Sequence, residues 1–222
     1  MQKDIEQKDE WQAVWSKKGG FVDSVIDLGR TIYNFFFRRI HRRYINKDTR
    51  MLELGSGRAS LSLSICKEIK SLLGVDISDV AVKQASASAE SLGVSNAKFI
   101  VGDCTKLNMD NKFDFVWSQG LIEHFDDPTA VAREHYKALA PGGVVLLSVP
   151  YRYSYHTIWY KMSRPKLLRW LWPWEGVEQR FFNHKELSDV GTAITPHSRV
   201  FLMQPFLLGI IFLEMRKPSN QM

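Results

Sequence analysis

Cysteine is scarce in this chain of 222 residues: only Cys66 and Cys104 occur, and neither has metal-ligating neighbours at a useful spacing. We therefore expect neither a disulfide framework nor a bound metal. Long apolar runs are missing as well, since the longest one near the C-terminus, residues 205–213, is well short of the roughly 20 residues that span a membrane. The polar, charged N-terminus does not have the pattern of a secretory signal, so the sequence predicts a cytoplasmic protein.

A strong excess of one charge is also lacking. The formal net charge of +6 and the isoelectric point near 9.3 are only mildly basic, which is less than a dedicated nucleic-acid-binding protein usually carries. With 45% hydrophobic and 24% charged residues, the chain has the composition of an ordinary folded protein. We therefore expect a single domain over residues 1–222 and no nucleic-acid partner.

Residues 1–49 have the pattern of helices. Trp11, Val14 and Trp15 recur three and four positions apart, so they share one helical face. A second helix is predicted over residues 24–44, with apolar side chains at Val25, Leu28, Ile32, Phe35, Phe36 and Ile40. Its other face is basic and carries Arg38, Arg39, Arg42 and Arg43. We interpret residues 1–49 as a helical lid.

Strands and helices alternate from residue 50 onward. Strands are predicted over residues 50–54, 71–76, 97–102, 113–119 and 144–150, and helices over residues 58–69, 79–92 and 127–139. Repeated crossover units of this kind form a mostly parallel sheet. With two further strands near residues 199–203 and 207–215, the expected fold class is α/β, with a Rossmann-like seven-stranded sheet and helices on both faces. The last two strands are expected to form an antiparallel pair within residues 198–217, while residues 50–150 form the core.

Residues 151–197 interrupt the alternation and are rich in aromatic side chains. They include Trp159, Trp170, Trp172, Trp174, Tyr151, Tyr153, Tyr155 and Tyr160, together with the basic residues Lys161, Arg164, Lys166 and Arg169. Aromatic side chains commonly line apolar ligand pockets. We interpret this segment as an inserted substrate cap.

A glycine-rich turn follows the first predicted strand. Glu53 precedes Gly55, Ser56 and Gly57, where the missing Cβ atoms allow a ligand to approach the backbone closely. A dinucleotide fingerprint would require Gly or Ala where the chain has Ser60. The alternative pattern, an acidic residue followed by three glycines at alternate positions, fits with a single departure at Ala59. The turn alone does not decide between a dinucleotide and the different nucleotide-like ligand of this second pattern.

Polar residues also follow the next three predicted strands. Asp76 ends the second strand, where a carboxylate accepts hydrogen bonds from ribose hydroxyls. Asp103 follows the third strand, and Gln119 ends the fourth. His124 lies in the loop beyond Gln119, at the edge where ligands of open parallel sheets bind.

With these motifs in this order, residues 48–150 resemble class I S-adenosylmethionine-dependent methyltransferases, most closely the group that includes the ubiquinone and menaquinone methyltransferases. The resemblance implies S-adenosyl-L-methionine as cofactor and S-adenosyl-L-homocysteine as product. It implies that the following residues bind the cofactor: Trp15, Glu53, Gly55, Ser56, Gly57, Asp76, Ile77, Asp103, Cys104 and Gln119. Glu53 and the glycine turn would hold the methionine part of the cofactor, and Asp76 would bind the ribose. Ile77, Asp103 and Cys104 would contact the adenine. Gln119 would accept a hydrogen bond from the ammonium group, and Trp15 would cover the site.

The expected function is methyl transfer to a small hydrophobic or aromatic acceptor. Where that acceptor carries a proton, His124 is the candidate catalytic base, since its ordinary pKa lies near ~6.5. The aromatic cap and the basic helix also leave open a lipid-like acceptor and peripheral contact with a membrane. Three alternatives are RNA or DNA methylation, a non-catalytic cofactor-binding partner protein, and a dehydrogenase. The sequence does not predict the oligomeric state.

Overall fold

A central sheet of seven strands organises the protein. The computed structural model describes residues 2–16, 33–163, 179–203 and 209–219. Within these, the strands are β1 Arg50–Leu54, β2 Ser71–Asp76, β3 Ala97–Val101, β4 Phe113–Gln119, β5 Leu139–Pro150, β6 Ser198–Met203 and β7 Ile210–Arg216. Their order across the sheet is β3-β2-β1-β4-β5-β7-β6. Only β7 runs antiparallel to its neighbours, so the predicted mostly parallel sheet with an antiparallel C-terminal pair is confirmed.

Helices cover both faces of this sheet, as predicted. They are α1 Gln2–Ser16, α2 (residues 33–41), α3 Ser60–Ile65, α4 Asp79–Ser91, α5 Pro128–Ala138, α6 Tyr155–Ser163 and α7 His184–Thr192. Short 3₁₀ helices lie at Cys66–Glu68 and Ile122–His124. Among the residues that the structure describes, no helix is both long and apolar enough to span a bilayer.

The strand side chains alternate between two buried cores. On β5, Leu146 lies in one core and Leu147 in the other; on β7, Phe212 and Leu213 are divided in the same way. Helices α2, α3 and α4 contribute apolar side chains to the first core, and α5 and α7 contribute to the second. Because both faces are buried, these strands are apolar along most of their length, which is typical of a parallel sheet between two helical layers.

Several element boundaries differ from the sequence prediction. The helix predicted over residues 58–69 ends at Ile65 and continues as a 3₁₀ turn. Strand β5 begins at Leu139, because the Pro-Gly-Gly segment predicted as a turn is a bulge within the strand: the pairing passes from Phe113 with Leu139 to Phe115 with Val144. Helix α7 packs Leu187 and Val190 into the second core, so the predicted cap at residues 151–197 includes a helix of the main layer.

The apolar face predicted for helix α2 is only partly buried. Phe37 and Ile40 are buried, but Phe35 is 68% exposed, on the side of the helix that carries the arginines. The sequence could not separate these positions, because three consecutive phenylalanines necessarily point in three directions around a helix. Other predicted positions lie outside the described residues, namely Val25, Leu28, Ile32, Arg164, Lys166, Arg169, Trp170, Trp172 and Trp174.

Helix α2 also supports the centre of the sheet from behind. The His41 imidazole packs edge-on against Trp117 of β4, with ring centroids 4.2 Å apart. Burial lowers the pKa of His41 to about 4, so the ring is neutral at physiological pH. The Trp117 indole N–H in turn donates a 3.0 Å hydrogen bond to Glu53 at the end of β1. The orientation of Glu53 is therefore set by two layers of buried aromatic side chains.

A buried carboxylate joins α2 to the two C-terminal strands. Glu214 of β7 is 1% exposed and accepts hydrogen bonds from Tyr44 (2.6 Å), Arg199 (2.6 and 2.9 Å) and Arg216 (2.7 Å). Burial raises the pKa of Glu214, but these three donors outweigh that effect and leave the pKa below its ordinary value. The network therefore stabilises the ionised form of Glu214 and links β7 to the edge strand β6.

We predict that Glu214→Gln destabilises the protein by about 2–3 kcal/mol, because two arginines and a tyrosine lose a charged acceptor. Urea unfolding would measure this. The difference from wild type should shrink as the pH falls through the native pKa of Glu214, since the stabilisation requires its ionised form. Asp189→Asn removes the exposed pair with Lys185 and is the matched control, for which we expect no measurable change. An equally small effect at Glu214 would contradict the prediction.

Candidate active site

The turn between β1 and α3 is the centre of the site. Gly55 and Gly57 have φ values of +64° and +50°, in the left-handed region that glycine adopts without strain. The backbone N–H groups of Gly55 and Ser56 donate to the Val75 carbonyl of β2 at 2.9 and 3.2 Å. The predicted glycine turn is therefore a tight loop attached to the end of the neighbouring strand.

Ala59, the position where the sequence departs from an alternating glycine pattern, is also left-handed, with φ 51° and ψ 28°. An alanine pays a steric cost of roughly 1–2 kcal/mol in this conformation. Its methyl group is buried in the first core and offsets part of that cost. Alanine therefore preserves the glycine backbone geometry at this position.

Asp76 binds the turn to the end of β2. Its Oδ2 accepts from the Gly57 N–H at 2.8 Å, and its Oδ1 accepts from the Ser78 N–H at 2.9 Å. Burial raises the pKa of Asp76, and these backbone donors partly oppose the increase. Each carboxylate oxygen can accept more than one hydrogen bond, so the same carboxylate can organise the turn and accept from ligand hydroxyls.

Glu53 is buried beside this turn with an unused hydrogen-bonding oxygen. Its Oε1 accepts from Trp117, whereas its Oε2 and the Ser56 hydroxyl have no hydrogen-bond partner among the described residues. Burial raises the pKa of Glu53 to about 8, although the nearby Ser62 hydroxyl and Trp117 oppose the increase, so the carboxyl is largely protonated at neutral pH. A cationic group with hydrogen-bond donors, bound at this point, would restore its charge and supply the missing partner.

The ends of β3 and β4 bring further predicted residues to the same edge. The Gly102 N–H donates to the Asp76 carbonyl at 2.9 Å, which places Asp103 and Cys104 beside the end of β2. Burial, and next the neighbouring charge of Asp103, raise the pKa of Cys104 to about 12. Gln119 ends β4, parallel to β1, and is exposed.

Asp103 already has partners of its own. Its Oδ1 accepts from the Thr105 N–H at 2.8 Å and from the Thr105 hydroxyl at 2.7 Å, and Lys106 lies 3.5 Å from its Oδ2. Burial raises the pKa of Asp103, but these contacts outweigh it and leave the pKa below its ordinary value. Asp103 is therefore ionised in a formed loop. Ile77, next to Asp76, is half buried.

Helix α1 lies over the glycine turn. A Cβ added to Gly57 would stand 2.6 Å from Cζ2 of Trp15, so the indole touches the turn directly. The Trp15 carbonyl accepts from the Gln84 side chain of α4 at 3.1 Å. One turn earlier on the helix, Trp11 packs edge-on against His124, with ring centroids 5.1 Å apart. Helix α1 thus contacts both the glycine turn and His124, which are distant in sequence.

Two residues near His124, Trp11 and Glu123, had no predicted role in the site. Glu123 is 3% exposed, its Oε2 has no hydrogen-bond partner among the described residues, and burial raises its pKa to about 8. Its backbone carbonyl accepts from the Arg180 N–H at 3.1 Å. The burial of Glu123 could not be predicted, because a single 3₁₀ turn is too short to show a periodic pattern of apolar residues. The contact between Trp11 and His124 could not be predicted either, because it depends on how α1 packs against the rest of the protein.

A family model described as a methyltransferase domain matches residues 45–191, which is more than half of the chain and includes all of the strand ends described above. The chain belongs to this methyltransferase-domain family. The family and the fold together identify a class I S-adenosylmethionine-dependent methyltransferase, with S-adenosylmethionine as cofactor and S-adenosylhomocysteine as product. The predicted family is thereby confirmed.

Curated relatives of this methyltransferase include two O-methyltransferases. A ubiquinone biosynthesis O-methyltransferase from Psychrobacter cryohalolentis is 27% identical over 153 residues, which are 63% of this chain and 58% of the relative. A malonyl-[acyl-carrier protein] O-methyltransferase from Priestia megaterium is 23% identical over 170 residues, which are 76% of this chain and 61% of the relative. The chain therefore matches about three fifths of the length of each relative.

Solved structures show the same fold. The YcgJ protein from Bacillus subtilis superposes with a TM-score of 0.64 at 19% identity, covering 83% of this chain and 98% of YcgJ. A SAM-dependent methyltransferase from Methanosarcina mazei superposes with a TM-score of 0.63 at 22% identity, covering 82% and 98% of the two chains.

We predict that Gly57→Ala weakens S-adenosylhomocysteine binding by at least ~tenfold, about 1.4 kcal/mol. The new methyl group would be strained at φ +50° and would push Trp15 off the turn. Titration calorimetry measures the affinity. Gly93→Ala is the matched control, since Gly93 has φ +64° but nothing within 4 Å of an added Cβ. It should lose about 1 kcal/mol of stability and retain wild-type affinity. Equal affinities for both variants would contradict the contact between Trp15 and the turn.

Proposed function

We propose that this methyltransferase transfers the methyl group of S-adenosylmethionine to a small hydrophobic or aromatic acceptor. The observation that carries the proposal is that α1 contacts the glycine turn through Trp15 and His124 through Trp11. Tyr151, directly after β5, lies at the same edge of the sheet. Aromatic side chains thus flank the position where an acceptor would meet the cofactor.

We propose the same cofactor contacts that the resemblance implied. Glu53 Oε2 and the Ser56 hydroxyl supply unused buried hydrogen-bonding atoms for the methionine part, and Asp76 supplies acceptor capacity for the ribose. The remaining proposed contacts are Trp15, Gly55, Gly57, Ile77, Asp103, Cys104 and Gln119. When bound, the cofactor supplies an electrophilic methyl group.

His124 is the proposed proton acceptor where the methylated atom carries a proton. It follows the end of β4 by five positions, in the 3₁₀ turn Ile122–His124 at the edge where α/β sheets bind ligands. Trp11 holds its ring from one side, which favours a defined orientation of the two ring nitrogens. An acceptor without a transferable proton would require only positioning.

One relative is named for ubiquinone biosynthesis, which is consistent with a hydrophobic acceptor, whereas another is named for malonyl-[acyl-carrier protein]. A lipid-like acceptor would be consistent with the exposed surface of α2. Phe35 is 68% exposed, and four arginines surround it: Arg38, Arg39, Arg42 and Arg43. An apolar side chain within a basic stripe favours contact with an anionic membrane.

The membrane contact predicts co-sedimentation with vesicles of phosphatidylcholine and phosphatidylglycerol, and little with phosphatidylcholine alone, because the arginines require anionic headgroups. The combined variant Phe35→Ser, Arg39→Glu and Arg43→Glu should lose this binding. Lys185→Glu, a charge reversal on exposed α7, is the control and should bind like wild type. If the wild-type protein stayed in the supernatant at low salt, the proposed membrane contact would be wrong, while the proposed methyl transfer would be unaffected.

Glu53→Gln provides the sharpest test of the cofactor site. The pKa of Glu53 is raised in the folded state, so its contribution to stability falls as pH rises from about 4.5 to about 8. Glutamine has no such dependence, and we therefore expect the variant to gain stability relative to wild type at pH 8. Its affinity for S-adenosylhomocysteine should fall at least ~tenfold, because hydrogen bonds to a charged group contribute about 1.5–3 kcal/mol.

Glu123→Gln is the matched control, since Glu123 is equally buried, has a pKa of about 8 and lies outside the glycine turn. It should share the stability gain at pH 8 and keep wild-type affinity. Thermal denaturation with and without S-adenosylhomocysteine measures both effects, because a ligand that binds the native state raises the melting temperature. Stabilisation of wild type by NAD rather than S-adenosylhomocysteine would contradict the proposed function.

A further inference from the structure

Helix α1 contacts two separate parts of the site through one face. Trp11 and Trp15 are four positions apart and therefore lie on the same side of the helix. Trp15 covers Gly57 of the turn after β1, while Trp11 packs against His124 in the loop after β4. One rigid element thus touches both the proposed cofactor half and the proposed acceptor half.

The anchors of α1 lie on the cofactor half. The Gln12 side chain accepts from the Ser78 hydroxyl at 3.3 Å and donates to Asp79 at the start of α4. The Gln84 side chain holds the Trp15 carbonyl at 3.1 Å. Ser78 is itself joined to Asp76 through its backbone N–H at 2.9 Å. The position of α1 is therefore determined by the residues that shape the turn.

On the acceptor half, the contact of α1 is aromatic. Trp11 meets the His124 imidazole at an interplanar angle of 81°, which is the edge-to-face arrangement that aromatic rings prefer. This contact restricts rotation of the imidazole about its own side chain. A shift of α1 along its axis would therefore change the orientation of His124 without any direct contact between His124 and the turn.

We propose that Trp11 is a positioning residue for His124, and that α1 couples occupancy of the cofactor site to the shape of the acceptor site. The inference rests on the proposed function. A cofactor bound at the turn beneath Trp15 would restrict the position of α1. The position of α1 in turn determines how Trp11 packs against His124. Because coupling between two sites is reciprocal, a bound cofactor should favour binding of the acceptor, and a bound acceptor should favour binding of the cofactor.

The coupling is tested without knowing the acceptor, using S-adenosylhomocysteine and full-length protein labelled with 5-fluorotryptophan. The variants Trp11→Phe and Trp15→Phe assign the two ¹⁹F resonances. On titration, both resonances should shift with the half-saturation that calorimetry gives for binding. In Gln12→Ala the ligand should still bind, but the Trp11 shift should be reduced by at least about half, since the anchor between α1 and α4 is lost. Glu10→Ala, at an exposed position of the same helix, should behave like wild type.

A second measurement separates positioning from mere stability. The His124 imidazole is titrated by NMR in the complex with S-adenosylhomocysteine. Trp11→Ala should shift its pKa and broaden its resonances, Trp11→Phe should restore both, and neither variant should weaken ligand binding by more than about threefold. Trp15→Ala should instead weaken binding by at least about tenfold.

The outcomes distinguish the two proposals. A Trp11 resonance that stays fixed while calorimetry shows binding would overturn the coupling and leave the cofactor site intact. An unchanged His124 titration in Trp11→Ala would overturn the positioning role. Absence of S-adenosylhomocysteine binding in wild type would overturn the proposed function and the coupling together.

Discussion

The carboxylate of Asp76 is the interaction on which the rest of the site depends. It accepts from Gly57 in the first turn and from Ser78 at the start of α4, and so joins the ends of β1 and β2 to one helix N-terminus. Helix α1 is attached to this same junction through Gln12. Loss of these two hydrogen bonds would therefore disturb the turn, the capped end of α4 and the position of α1 at once.

Much of the fold could be predicted from the sequence because its signals are local. Strands β1, β2 and β4 begin and end as their apolar patterns indicate. The residues after these strands meet at one edge because parallel strands all end there. The fold and the family are confirmed, whereas the roles of the individual site residues remain predictions.

What the sequence could not show depends on contacts between distant segments. No pattern indicates that Trp11 meets His124, because that contact follows from the docking of α1 on α4. The left-handed backbone at Ala59 is likewise set by the turn around it rather than by alanine itself. Glu53 and Glu123 have ordinary neighbours in sequence, and only burial in three dimensions raises the pKa of each to about 8.

The reversed direction of β7 has an evolutionary consequence. Since β6 runs parallel to β5, β6 ends and β7 begins at the edge where β5 ends, and the Gly209 carbonyl accepts there from the Tyr151 N–H at 2.8 Å. Insertions in this link, or between Tyr151 and α7, would remodel the acceptor half and leave the strands around Asp76 unchanged. Under the proposed function, such changes in loop length would alter the choice of acceptor without altering the binding site of the methyl donor.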